Sequence, residues 1–325
     1  MAGQGDTNSC VLILAGTTAS GKTDVSVPLA NMLRAEIISA DSRQIYGALK
    51  IGSAPPSSTQ LDEVRHYFIA EKELSERWTA GDFSRAARRI IADRDRMGTV
   101  TLVVGGSMLY LKALLDGLYE REDEPTLDYA SLRAEWSERG QDEMMSILEE
   151  LDPELAATTK PGDHHRILRG IGHYRTTGKR LSDMRKLETT PIQQSFRLYF
   201  LNGDREETYE RVNRRVDAML EEGLVEEVRS IAARGFNEAN TNALRTHGYQ
   251  EVFPYLRGEC DFETMREEIR KAVRHYVKRQ ITWFRRETRA IWVRRSFDER
   301  PEDIAIRIHR DFLGIELIPQ NKETR

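Results

Sequence analysis

The chain has 325 residues, 39% of them hydrophobic and 31% charged, a mixture that supports a packed globular fold and excludes general disorder. No apolar run approaches the roughly 20 residues that span a bilayer. The start MAGQGDTNSC has neither a basic region nor an apolar signal core, and the two cysteines, Cys10 and Cys260, form no disulfide framework or metal spacing, so a cytoplasmic protein with no membrane partner is expected.

In chain order, Val11 to Ala15 reads as a short buried strand that runs into a glycine-bounded loop and then a helix from about Lys22 to Leu33. A second apolar run, Glu36 to Ala40, ends at Asp41. A third, Val100 to Val104, ends at Gly105-Gly106 before the helical pattern Met108 to Leu118. Strands alternating with helices predict a parallel sheet covered on both faces. From Leu132 to Arg180 the periodicity is helical, broken at Pro153 and Pro161, and Arg197 to Leu201 returns to the sheet. Two long amphipathic helices follow, one through Val212, Val216, Met219 and Leu220. The other spans Phe262 to Arg289 with Ile269, Val273, Val277, Ile281 and Phe284 on its core face.

The expected architecture is therefore α/β: a P-loop parallel-sheet core built from residues 10–118 and 196–315, a helical insertion over 119–195, and flexible tails at 1–9 and 316–325. A net charge of −4 hides an asymmetry across these parts. Tyr119 to Glu154 holds 13 acidic and 3 basic residues, whereas Arg266 to Arg295 holds 11 basic and 3 acidic, with Arg270, Arg274 and Lys278 sharing a helix face. The basic segment suits a polyanion.

The segment GTTASGKT, Gly16 to Thr23, fits GxxxxGK[ST], a pattern expected by chance about once per hundred chains of this length. Between a strand and a helix, the backbone N–H groups of such a loop and the helix N-terminus converge on an anion, with Lys22 adding charge and Thr23 a hydroxyl for Mg²⁺. Nucleotide hydrolases place a carboxylate at the end of a further strand, but the third strand here ends in Gly105-Gly106-Ser107. The strand-end carboxylate is instead Asp41, in ISADSRQIY. On the residues alone it is either a general base facing the crevice or a helix cap or outer magnesium ligand.

GTTASGKT, ISADSRQIYGALKIGSA, AGDF at Ala80 to Phe83, VVGGSMLYLKALLDGL and KRQITWFRR together resemble the tRNA dimethylallyltransferases, and the match covers nearly the whole chain. The resemblance implies transfer of a dimethylallyl group from dimethylallyl diphosphate to the exocyclic amine of the adenosine just 3′ of the anticodon. The phosphate loop then holds a leaving group. Gly16, Thr17, Thr18, Ala19, Ser20, Gly21, Lys22 and Thr23 would bear on the diphosphate with Mg²⁺ at Thr23, joined by Lys179 and Arg215 and less certainly by Arg211. Asp41 would be the base, Gln44 would recognise the flipped adenine, and Ser107, where the family usually has Thr, would sit beside the reacting centre.

The same resemblance assigns contacts with the tRNA anticodon stem-loop to Asp41, Ser42, Arg43, Gln44 and Ser107, to His165, Arg166 and Arg169, to Arg245, Gly248 and Tyr249, and to Lys278, Arg279, Gln280 and Arg285, with Arg133 a weaker candidate. A solvated charged face is the ordinary reading of such basic residues, and the family match reverses it. His164 and His165 lack companions at metal spacing. Trp283 suits either base stacking or the core.

Departures from the pattern are Thr17 for Pro, Arg65-His66 for Pro-His, and Gly170-Ile171-Gly172 for Ala-Leu-Glu, whose two glycines are expected to loosen their helix. The chain carries no zinc-finger extension and is expected to be a monomer of the compact bacterial form. The rivals are an adenylate isopentenyltransferase acting on free nucleotide, a P-loop small-molecule kinase, and an RNA-binding protein without catalysis.

Overall fold

The computed structural model describes residues 10–118, 127–184, 189–296 and 298–320. The chain divides into two compact units, residues 1–114 with 192–325, and residues 115–191.

In the first unit the elements are β1 (Cys10–Gly16), α1 (Lys22–Leu33), β2 (Glu36–Ser39), α2 (Ser58–Glu63), β3 (His66–Tyr67), α3 (Ala80–Arg96), β4 (Thr101–Gly105) and α4 (Met108–Leu115). The second unit holds α5 (Tyr129–Leu151), α6 (Pro153–Ala157), α7 (His164–Thr177) and α8 (Leu181–Met184). The chain then returns to the first unit as β5 (Ser195–Asn202), α9 (Arg205–Glu221), α10 (Leu224–Ala233), α11 (Val252–Leu256), α12 (Phe262–Phe284), β6 (Ala290–Arg294) and α13 (Pro301–Phe312). Among the described residues no helix is long and apolar enough to cross a membrane.

The six strands form one sheet in the order β3-β2-β4-β1-β5-β6, every pair parallel. This is the expected α/β fold. Leu12, Leu14, Val25, Leu29, Tyr199, Ile304 and Ile308 are buried in one cluster where α1 and α13 pack on the sheet. Continuous apolar runs such as VLILA in β1 reflect that both faces of these strands are covered.

Two strands escape the sequence reading. β3 is only two residues long, and β6 lies where the Phe262–Arg289 helix was expected to finish, that helix ending instead at Phe284. Residues 316–320, expected as a tail, are tied to the sheet. Gln320 donates from Nε2 to Trp292 O (3.2 Å) and accepts from Trp292 N (2.9 Å), and Ile318 N donates to Asp311 (2.7 Å), so this segment covers the β6 edge. The expected tails at 1–9 and 321–325 lie outside the described residues.

The second unit has its own core of Leu132, Met144, Leu148, Leu155, Ile167 and Ile171. Buried Asp152 links its short helices, accepting from Leu155 N (3.1 Å) and Ser182 N (2.9 Å). Gly170 and Gly172 do not loosen α7, which runs unbroken. A Cβ at Gly170 would stand 2.5 Å from Leu155 and 2.6 Å from Leu148, and one at Gly172 would stand 2.7 Å from Leu132. These glycines are where neighbouring helices come closest, so they serve packing rather than flexibility.

Candidate active site

All the sheet's C-terminal ends point the same way, because every strand is parallel, and the loops leaving β1, β2, β4 and β6 therefore converge. The loop after β1 turns through Ala19 (φ 62°) and Gly21 (φ 80°), both in the left-handed region, and α1 starts immediately at Lys22. The Lys22 ammonium turns onto the loop, donating to Gly16 O (3.1 Å) and Thr17 O (2.7 Å). Burial, and then the positive charge of Arg215, push Lys22 down to about 7 against the pull of Asp41. Burial likewise lowers Arg215, with Asp41 opposing it. An anion bound between two buried cations of this kind would stabilise their charged forms.

Asp41 follows β2. Its Oδ1 accepts from Arg43 N (2.8 Å) and more loosely from Gln44 N (3.4 Å), a local turn that fixes the carboxylate, while Oδ2 takes no bond from the described residues. One oxygen of Asp41 thus closes the turn and the other takes no bond from the described residues. Ala40 N donates to Val104 O (2.7 Å) and Ser107 N to Ala40 O (3.3 Å), which brings Ser107, at the start of α4, beside the Asp41 turn.

Asp41, Ser42, Arg43, Thr18, Ser107, Arg215 and Arg245 line one cavity of about 390 Å³, closed on its far side by His247, His275, Tyr276 and Arg279. The His247 and Tyr276 rings pack at a 31° tilt with centroids 4.5 Å apart. Burial, and after it Arg215, Arg43 and Arg279, push His247 down to about 3, so its imidazole is neutral among three guanidinium groups. The cavity is therefore cationic, with one carboxylate. A second groove of about 510 Å³ adjoins it, lined by Met108, His275, Lys278, Arg279, Thr282, Trp283 and Arg286. Trp283 is half-buried, edge-on against Phe284 (4.7 Å), and also lines this groove.

Three residues expected to contact tRNA, Gln280, Tyr249 and Gln44, make internal hydrogen bonds, and Tyr249 also lines the cavity. Gln280 is 1% exposed. From the apolar face of α12 its Oε1 accepts from Thr18 N (2.9 Å) and its Nε2 donates to Gly106 O (3.0 Å) and Gly16 O (3.4 Å), so it ties the phosphate loop to the β4–α4 loop. A Cβ at Gly106 would meet that amide at 2.4 Å, which accounts for the glycine. Tyr249 is wholly buried, its hydroxyl donating to Glu227 (2.6 Å). The Gln44 side chain is half-buried, its Oε1 accepting from Ser39 Oγ (2.8 Å) and its Nε2 donating to Ala54 O (3.1 Å), so it is engaged at both ends.

Of the remaining expected contacts, Arg245 donates from Nε to Glu238 O (2.7 Å) and Gly248 holds φ 93° with its N–H on Glu251 (2.7 Å). Lys278, Arg279 and Arg285 are exposed on the last turns of α12. Arg270 and Arg274 face α9, not solvent: Arg270 pairs with Asp217 (2.6 Å) and Arg274 donates to Asn213 (3.0 Å). On the second unit Arg133 and His165 flank the Tyr129 ring, at 5.9 and 5.8 Å, Arg166 donates to Thr158 (3.1 Å), and Arg169 and Lys179 are exposed.

The sequence reading missed Arg295, just beyond β6. Its Nη1 donates to Ser20 O (2.7 Å) and occupies the space where a Cβ on Gly21 would be, so a further cation rests against the phosphate loop. A basic residue after an apolar strand, RR at Arg294-Arg295, was the only signal.

A family model described as IPP transferase matches residues 44–287. Among curated proteins, tRNA dimethylallyltransferase 1 of Citrifermentans bemidjiense is 39% identical over 87% of this chain and 91% of its own length, and the tRNA dimethylallyltransferase of Salinibacter ruber is 39% identical over 92% of each. The chain belongs to the tRNA dimethylallyltransferase family. Among solved structures, the tRNA isopentenylpyrophosphate transferase of Bacillus halodurans superimposes with a TM-score of 0.66 at 29% identity, covering 94% of this chain and 97% of its own. A eukaryotic dimethylallyltransferase acting on tRNA, at 24% identity, shares the fold with a TM-score of 0.78 over 97% of this chain and 82% of its own. The family model begins after the phosphate loop and Asp41, so those two features stand on the geometry above.

Proposed function

We infer that the protein transfers a dimethylallyl group from dimethylallyl diphosphate to the N6 amine of the adenosine immediately 3′ of the anticodon in tRNA, releasing diphosphate. The observation that carries this reading is the shared cavity, in which a phosphate-loop residue, Arg215 and the open oxygen of Asp41 face one space. The loop amides of residues 17–23, Lys22 and Arg215 offset charge that builds on the departing diphosphate, a service of the same kind as phosphate loops give a nucleotide. Asp41 accepts the proton of the N6 amine as the C–N bond forms. That help is needed because the amine's lone pair is delocalised into the ring.

A base stacked in an anticodon loop cannot reach a buried carboxylate, so the adenosine is splayed into the cavity while the exposed cations of α12 and the Trp283 groove take the flanking backbone and bases. For magnesium, the protein offers the Thr23 hydroxyl beside the loop, and no group of three or more His, Cys, Asp or Glu among the described residues could hold a metal ion. So sparse a donor set suits an ion held mainly by diphosphate oxygens and water, where it would neutralise leaving-group charge.

Incubation with dimethylallyl diphosphate, Mg²⁺ and unmodified tRNA, followed by mass analysis of the nucleosides, tests the reading. A gain of about 68 daltons on adenosine, one C₅H₈ unit, is expected. Modification of AMP instead of tRNA would establish the free-nucleotide rival, and phosphorylation of a metabolite from ATP the kinase.

A further inference from the structure

We infer that Glu227, on α10 and outside the cavity, is a positioning residue whose carboxylate holds the 50–54 loop in the shape that seats Gln44 and, through it, the Asp41 turn. One carboxylate does three jobs here. Its Oε2 accepts from Lys50 N (3.1 Å) and Ile51 N (2.9 Å), and its Oε1 accepts from the Tyr249 hydroxyl (2.6 Å). That hydroxyl in turn accepts from Gly52 N (3.0 Å), so three successive amides of the loop are fixed by Glu227 and the tyrosine it orients. The Tyr249 ring presses against the loop so closely that a Cβ on Gly52 would lie 2.4 Å from it.

The loop passes this placement on. Ser53 O and Ala54 O accept from Gln44 Nε2 (3.4 and 3.1 Å), Gln44 Oε1 accepts from Ser39 Oγ (2.8 Å), and Gln44 N shares Asp41 Oδ1 with Arg43 N. Ala54 sits at φ 42°, a backbone region that favours glycine, so its surroundings hold the loop in a conformation it would not choose alone. Gly52 and Ser53 themselves line the cavity, on the same wall as Asp41. None of these bonds reaches residues 16–23. Glu227 therefore acts on the acceptor side of the site and leaves the diphosphate side untouched.

This inference rests on the proposed transfer to tRNA, and its test separates the two. Wild-type turnover on tRNA is measured first; an inactive wild type would defeat the functional reading, whereas amide hydrogen exchange at residues 50–52 would still probe the role of Glu227. In Glu227→Ala, kcat/KM for tRNA is expected to fall by about ten- to a hundredfold while KM for dimethylallyl diphosphate stays within about twofold. Exchange at residues 50–52 should quicken while amides of β1 and β5 stay protected. Glu227→Gln should recover most of the activity, because its carboxamide oxygen can still accept from two amides and its NH₂ can donate to Tyr249. If Glu227→Ala does not fold, Tyr249→Phe, which keeps the ring and removes the Gly52 acceptor, should show the same split at smaller size. Equal losses for both substrates, unchanged kcat/KM for tRNA in a folded variant, or a Glu227→Gln protein as impaired as Glu227→Ala would overturn the proposal.

Discussion

In the first half of α12, Arg266, Arg270 and Arg274 turn toward α9, where Asp217 accepts from Arg266 (2.8 Å) and Arg270 (2.6 and 2.7 Å) and Asn213 accepts from Arg274 (3.0 Å). In the second half, Lys278, Arg279 and Arg286 line the open groove beside the cavity and have no acidic partner among the described residues. The first half also carries acidic residues of its own, Glu263, Glu267 and Glu268, where the second has none, and the two halves meet different surfaces. A helix packed against carboxylates spends its cations on holding the fold, whereas a helix running past a cavity leaves them for a ligand. The charge of the whole segment therefore overstates the surface available to a polyanion.

The buried face of the second half is the place to break the comparison most severely. Gln280 lies on the buried face, one turn past Val277, and Gln280→Ala would leave Thr18 N, Gly16 O and Gly106 O without their shared partner. We expect turnover to fall by about a hundredfold through a misplaced phosphate loop, with a stability loss of about 2 kcal/mol seen in urea melts.

The halves themselves should respond oppositely. Lys278→Gln with Arg279→Gln is expected to weaken tRNA binding about tenfold at low salt and to flatten its salt dependence by about one to two units of log–log slope. Arg266→Gln with Arg270→Gln should leave both quantities near wild type and instead lower stability by about 1 kcal/mol. Equal salt slopes for the two double variants would erase the distinction.

How much of this was legible in the sequence follows the range over which each feature is specified. The phosphate loop and the Asp41 turn are local strings between buried runs, and they were readable because a strand, a turn and a helix start are set by neighbouring residues. Gln280 was placed on the right helix, but its internal partners were not legible. It occupies a core position in the series Val273, Val277, Gln280, Phe284, and a polar residue in such a stripe signals an internal bond, yet its acceptors lie more than 170 residues away. Glu227, Arg295 and the internal bond of Tyr249 were not legible for the same reason, since their partners are fixed only once the sheet brings the loops together. β3 was too short for any periodicity to declare it.

A smaller effect concerns pH. Hydrogen bonding to Arg266 is the main cause that holds the Asp217 carboxyl below its ordinary value, with Arg270 adding to it against burial. A depressed carboxyl stabilises the fold fully above its unfolded value, near 3.9, and that contribution disappears as pH falls through the lower folded value. Asp217→Asn should therefore cost roughly 1 kcal/mol at neutral pH and almost nothing at the acid end, so that its melting curve converges with wild type there. A constant difference across the range would indicate that packing, not the ion pair, joins α9 to the first half of α12.

The claim at the centre of the account is that Asp41 takes the N6 proton while the loop holds the leaving group. Single-turnover transfer by Asp41→Asn, with tRNA and dimethylallyl diphosphate saturating, tests it directly. The isosteric amide keeps an acceptor for Arg43 N and Gln44 N, so binding of both substrates should persist while the transfer rate drops by at least about a hundredfold. Transfer at the full wild-type rate would contradict it.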